Sequence, residues 1–256
     1  MISKHIDSLS VNQFADRASM GEAAAQAVLE MIKRLLAQQE SVNMVFAAAP
    51  SQNEFLAALV CSEEVDWGHV NAFHMDEYVG LPADAPQRFG NFLQQRLFGK
   101  LPFRTVNYLN GNAPSLHEEC QRYTDLLLQN PIDMVCMGIG ENCHIAFNDP
   151  HVADFADQAF VKIVDLDTAC RQQQVNDRCF DLLAEVPTHA LTLTIPALMA
   201  ADYVFCMVPG FNKANAVAHT LGNDISPLYP STILRKHRNA TLFIDSDSAS
   251  KLKSLF

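Results

Sequence analysis

The sequence predicts an α/β fold with a mostly parallel sheet and helices on both of its faces. Two observations predict it. Short apolar runs alternate with segments of helical period along the whole chain of 256 residues. The runs are compact and almost unbroken, as expected for strands covered on both sides.

Taken in order, residues 11–38 carry Phe14, Ala18, Ala25, Val28, Ile32 and Leu35/Leu36 at a helical period and predict one long helix. Residues 42–48 predict a buried strand and 51–60 a helix, with Ser51 and Glu54 at the spacing of a capping box. Residues 70–75 predict a strand that ends in charge. Phe89, Phe92/Leu93 and Leu97 mark a helix, and 116–128 another. Strands are expected at 133–137, 190–195, 204–208 and 241–245, with a helix at 212–221. No linker and no repeat interrupts the series, so one domain is expected over 1–256.

Composition narrows the function. With 49% hydrophobic residues the chain is not disordered, and 18% charged residues is low enough to suggest extra buried surface such as a subunit interface. The net charge of -11 argues against nucleic acid or an anionic membrane as partner. No apolar run approaches the ~18 residues of a membrane span, and the start lacks an apolar signal core. The 7 cysteines, without a Cys-x-x-Cys pair, read as free thiols of a cytoplasmic protein, with no metal site.

In open α/β sheets ligands bind beyond the carboxyl ends of the strands. The residues there are therefore the candidates. After the first strand, Ser51 is either a helix cap or a phosphate contact. After the second, Asp76 and Glu77 are two carboxylates poised for proton transfer, or else a solvated acidic turn. After the 133–137 strand, Gly138-Ile139-Gly140 allows close backbone approach to a ligand. It is no dinucleotide fingerprint, because Cys143 fills the third glycine position. His144, between Asn142 and Asp149, is a candidate acid/base. Lys213 falls in the first turn of a helix, where a cation is unfavourable unless an anion binds or the side chain points to solvent. Arg171 and the cluster Arg235-Lys236-His237 are further cations for a phosphate, or ordinary surface charges.

Five segments, in this order, resemble the glucosamine-6-phosphate deaminase/isomerase family, whose superfamily includes 6-phosphogluconolactonase. They are Phe73-His74-Met75-Asp76-Glu77-Tyr78-Val79-Gly80-Leu81-Pro82, Leu109 to Pro114, Gly138 to Pro150, His189 to Ile195, and Gly210-Phe211-Asn212-Lys213-Ala214. The resemblance implies a three-layer α/β/α sandwich with an open, modified dinucleotide-fold topology. It implies a 2-amino-2-deoxyhexose 6-phosphate as substrate, no cofactor and a homo-oligomer, with which the low charged fraction is compatible. His144 would promote ring opening and Asp76 would move the proton from C2 to C1. Lys213 would hold the phosphate, with Ser51, Gln52, Glu77, Gly138, Gly140 and Arg171 as further substrate contacts.

Three departures from the family pattern stand out. Asn142 occupies the place of an aspartate that orients and charges the histidine; an amide accepts a hydrogen bond but cannot stabilise an imidazolium by charge. Asp149 is one methylene shorter than the usual glutamate. Ala48-Ala49-Pro50-Ser51-Gln52 replaces a glycine-rich phosphate loop, leaving Ser51 and Gln52 as side-chain donors. The expected function is a glucosamine-6-phosphate isomerase/deaminase. The rivals are a galactosamine 6-phosphate enzyme, a 6-phosphogluconolactonase and a non-catalytic sugar-phosphate sensor.

Overall fold

The computed structural model describes residues 1–252. The chain opens on an antiparallel hairpin, β1 (Ile2–Ile6) and β2 (Leu9–Gln13). The long helix α1 then runs over Arg17–Leu36 and does not begin at residue 11. The sequence signal was present: Leu9 and Val11 are fully buried at a spacing of two, with Ser10 and Asn12 turned outward. Asp16 starts the helix, its carboxylate accepting from the Ser19 N–H at 2.8 Å.

β3 (Val42–Phe46) leads through a short 3-10 turn, Pro50–Gln52, into α2 (Asn53–Val60). The expected capping box does not form. Ser51 lies inside the turn, and the Glu54 carboxylate is taken by Arg17 at 3.0 and 2.9 Å. β4 (Val70–His74) is followed after one residue by β5 (Asp76–Tyr78). Next come α3 (Phe89–Leu93), β6 (Thr105–Asn107), α4 (Leu116–Gln129) and β7 (Met134–Met137). β8 (Val161–Asp165) and α5 (Thr168–Asn176) were not anticipated. β9 (His189–Leu193), α6 (Ile195–Met199), β10 (Tyr203–Val208), α7 (Ala214–Gly222) and β11 (Ala240–Ile244) complete the order.

The main sheet has the order β1-β2-β11-β10-β7-β3-β4-β6, with every neighbouring pair parallel except β1 with β2. Its two faces bury two apolar clusters. Met44 and Phe46 pack on the side of Met20, Val28 and Leu56, from α1 and α2. Val45, Phe73 and Val135 pack on the side of Tyr123 and Val217, from α4 and α7. This alternation makes the three-layer sandwich.

A second, antiparallel sheet, β5-β9-β8, stands beside it. The strand expected at 190–195 therefore exists but belongs to this small sheet. With only Met75 between β4 and β5 there is no room for a parallel crossover, so the chain bends out and pairs antiparallel, Asp76 opposite Thr192. Strand order reverses at β3 and β7. The carboxyl ends of β3, β4, β7 and β10 thus converge on one crevice.

Candidate active site

The crevice holds a pocket of about 60 Å³, lined by Ser51, Asp76, Gly138, Gly140, His144 and Lys213 among others. Asp76 and Glu77 sit on consecutive positions of β5 and so point to opposite sides. Asp76 faces the pocket, 6% exposed, and among the described residues its Oδ1 has no hydrogen-bond partner. Burial, reinforced by the charge of Glu77, pushes its carboxyl well above the usual range.

Glu77 faces away, which corrects its expected role as a substrate contact. Its Oε1 accepts from the N–H groups of Tyr78 (2.9 Å) and Phe89 (3.0 Å), and its Oε2 from Gly90 (3.0 Å). It anchors the start of α3 to β5. Burial raises its pKa, against those donors and Arg88.

The loop after β7 turns back on itself at Cys143 (φ +71°) and Ala146 (φ +47°). Both are left-handed without being glycine, at ~1–2 kcal/mol each. The turn is clamped by Asn148, whose Nδ2 donates to the carbonyls of Ile145 (3.0 Å) and Leu193 (2.8 Å). It lays the His144 imidazole over Gly140, where a Cβ would collide with the ring. His144 Nδ1 lies 2.7 Å from Asn142 Oδ1 and 3.0 Å from an Asp149 carboxylate oxygen. Both are acceptors, so in the neutral ring Nδ1 carries the proton and Nε2 is left unprotonated.

Asn142 bridges the group. Its Nδ2 donates to Asp149 (3.0 Å) and Asp167 (3.2 Å). The carboxylate thought missing behind His144 is thus supplied by the fully buried Asp149. Burial pushes the Asp149 pKa up, but the His144 and Asn142 hydrogen bonds and the His144 charge outweigh it and hold the carboxyl below its ordinary value. The Cys170 thiol also bonds to Asp149, and its own pKa is driven well up, by burial first and then by the Asp149 charge.

Lys213 is buried at the start of α7, 5% exposed. Among the described residues its ammonium makes no hydrogen bond or ion pair. Burial lowers its pKa, opposed by Asp177 and Glu141. The alternative of a solvent-pointing lysine is excluded by this placement. Ser51 lines the pocket, but Gln52 stands behind it. The Gln52 Nε2 donates to Met207 O (3.1 Å) and to Ser51 Oγ (3.1 Å), which makes it a support for Ser51 and not a donor to the pocket. Gly138 permits this closeness, since a Cβ there would stand 3.0 Å from Gln52 Nε2.

Arg171 is corrected likewise. Its guanidinium donates to the carbonyls of Leu183 (2.7 Å) and Val186 (2.9 Å) and holds the 183–186 turn. Arg235 pairs with Asp7 at 2.6 Å, away from the pocket. Sequence reasoning gave no role to Gln174, which lines the site, and missed Arg178, which lines an adjoining cavity of about 470 Å³ sharing Ala48, Phe89 and Gln174 with it. The Arg178 guanidinium makes no hydrogen bond or ion pair among the described residues. No local motif marks it, since its placement follows from where α5 ends.

Two groups of side chains could hold a metal ion: His144 with Asp149 and Cys170, and Asp149 with His151 and Asp167, each with ligand atoms within 4.8 Å of one another. Among the described residues these two groups share Asp149.

The family model for glucosamine-6-phosphate isomerases/6-phosphogluconolactonase matches residues 15–243. Glucosamine-6-phosphate deaminases of Bacillus cereus (strain B4264) and Bacillus cytotoxicus are each 34% identical over 229 residues, 90% of this chain and 85% of theirs. The structure of a monomeric glucosamine-6-phosphate deaminase superposes with a TM-score of 0.87 at 27% identity, covering 94% of this chain and 99% of that one. The 6-phosphogluconolactonase of Thermotoga maritima shares the fold, with a TM-score of 0.76 at 19% identity over 93% of this chain and 100% of the other. By sequence match and fold alike, the chain belongs to the glucosamine-6-phosphate isomerase/6-phosphogluconolactonase family.

Proposed function

We propose that this protein is an aldose–ketose isomerase/deaminase that converts glucosamine 6-phosphate to fructose 6-phosphate and ammonia. The observation that carries the reading is Asp76: a buried carboxyl aimed into the pocket with one oxygen free of any protein partner, sharing that pocket with His144. Lactone hydrolysis needs no such base, because no proton leaves carbon.

The steps follow from the geometry. The unprotonated Nε2 of His144 must take a proton before it gives one. It takes the anomeric O1 proton and returns it to the ring oxygen; the C1–ring-oxygen bond breaks and the C1 aldehyde forms. The Nδ1 proton stays on the ring, donated to Asn142 and Asp149, which hold the imidazole and stabilise its transient charge. Asp76, ionised, removes the proton from C2 while a proton of the substrate's ammonium group passes to O1, giving a 1,2-enolamine, and then delivers the C2 proton to C1. Its apolar setting makes it a stronger base than a solvated carboxylate. The C2 imine then takes up water and releases ammonia, leaving the ketone. Lys213 supplies the charge for the 6-phosphate, with Ser51 beside it.

Galactosamine 6-phosphate is the second substrate to test, and 6-phosphogluconolactone the control. Ammonia release from the first two without lactone hydrolysis supports the assignment; lactone hydrolysis without ammonia overturns it. The single domain over 1–256 and the cytoplasmic placement belong to the same proposal. The latter is supported by seven cysteines that are all free thiols. A homo-oligomer rests on the family resemblance, with which the low charged fraction is compatible, and light scattering showing a monomer would remove it.

A further inference from the structure

We propose that His74 is a positioning residue for the reaction, holding the backbone of Asp76 so that its carboxylate stays aimed at the substrate. The inference rests on the assignment of Asp76 as the base.

His74 ends β4, two residues before Asp76, and is fully buried. Its Nδ1 lies 2.9 Å from the Asp76 carbonyl, and the Leu109 N–H donates to its Nε2 at 2.9 Å. A carbonyl oxygen only accepts and an amide N–H only donates. The tautomer is therefore fixed, with the proton on Nδ1 and none on Nε2. The ring clips the 107–111 segment to the residue that leaves the main sheet. This matters because β5 is only three residues long and is attached to the main sheet through Met75 alone. Apart from the clip, β5 is held by its antiparallel pairing with β9 and by the Glu77 carboxylate, which ties it to α3; the clip is the one of these that grips the Asp76 carbonyl from the side of the main sheet.

The surroundings leave no slack. Tyr123 accepts from the His74 N–H at 3.0 Å and lies 3.0 Å from the carbonyls of His74 and Asn107. The rings of Tyr108 and Tyr123 stand edge-on to the imidazole. Burial, aided by the Arg88 charge and opposed by the Asp76 carbonyl and Glu119, lowers the His74 pKa to about 4 and keeps the ring neutral.

Two substitutions separate the ring's two hydrogen bonds. In His74→Asn the amide nitrogen takes the place of Nδ1 and still donates to the Asp76 carbonyl, while Leu109 is lost. In His74→Gln the amide oxygen reaches the Nε2 position and still accepts from Leu109, while Asp76 is released. A displacement of the reacting group by about 1 Å can cost up to ~100-fold. The expected result is that His74→Gln loses roughly 10–100-fold in kcat on glucosamine 6-phosphate, with KM within about twofold. His74→Asn keeps most of its kcat, although its Tm falls too. Equal losses in both variants, or no loss in His74→Gln, overturn the proposal. A wild-type measurement guards against a variant that fails to fold. Ring 15N NMR must show His74 as the neutral Nδ1–H tautomer at pH 6, and the other tautomer overturns it as well. If the wild type itself releases no ammonia, it is the assignment of function that fails.

Discussion

Replacing Asn142 by aspartate tests the hydrogen-bond scheme behind His144. The amide nitrogen now donates to Asp149 at 3.0 Å and to Asp167 at 3.2 Å. An aspartate of the same shape puts an oxygen there, facing two carboxylates. It is tolerated while it stays protonated and copies the amide. Holding that proton at pH 7 against an unfolded pKa of ~3.9 costs up to about 4 kcal/mol, at 1.36 kcal/mol per pH unit. The sign follows from a raised folded pKa. The deficit relative to wild type is absent below pH ~4 and grows as pH rises, until the new group ionises in the folded state. Ionisation then pulls Asn142's partners apart and weakens the hold on His144, so kcat/KM falls. Urea unfolding of both proteins at pH 5, 6, 7 and 8, with kcat/KM at each pH, measures both effects. A deficit that does not change with pH, or a variant faster than wild type, refutes the bridging role of Asn142.

Three further outcomes are expected. Asp76→Asn lowers kcat by ~10²–10⁴-fold with little change in substrate binding, since the base acts in the transition state; retention of more than roughly a tenth of the rate removes Asp76 from the base role. Lys213→Ala raises KM for phosphorylated sugars by roughly 10–150-fold, the ~1.5–3 kcal/mol of a charge-assisted contact, and leaves binding of unphosphorylated glucosamine unchanged; an unchanged KM points instead to Arg178. For His74 the folded pKa is lowered to about 4 from 6.5, so its contribution is complete above pH 6.5 and drains away as pH falls towards 4. That loss is on the order of 3 kcal/mol and is missing from the pH–stability profile of His74→Asn.

The buried parallel strands were legible because strands covered on both faces become continuous apolar runs; β9, buried likewise, gives the same signal although it pairs antiparallel. The hairpin β1–β2 was not, because only Leu9 and Val11 carry its inward face and the helical period from Phe14 onward absorbs them. α5 escaped because Thr168–Asn176 is almost wholly polar; its buried positions include Gln173 and Gln174, and no apolar stripe announces them. The site was legible to the extent that it is written in strand ends: Asp76, Gly138, Gly140, His144 and Lys213 each follow a strand and line one pocket. Side-chain direction was not. Asp76 and Glu77 look equivalent as text and are separated only by the two-residue alternation of β5, which becomes visible once β5 is known to pair with β9. The role of Asp149 was hidden for a deeper reason. It reaches His144 only because the chain reverses through left-handed conformations at Cys143 and Ala146, and no local preference predicts that for cysteine or alanine. Contacts made by Asn148 to β9 impose it. The arrangement of His144 is thus set by tertiary structure holding a strained loop, which explains why a short motif could name the residues and yet mistake which of them stands behind the ring.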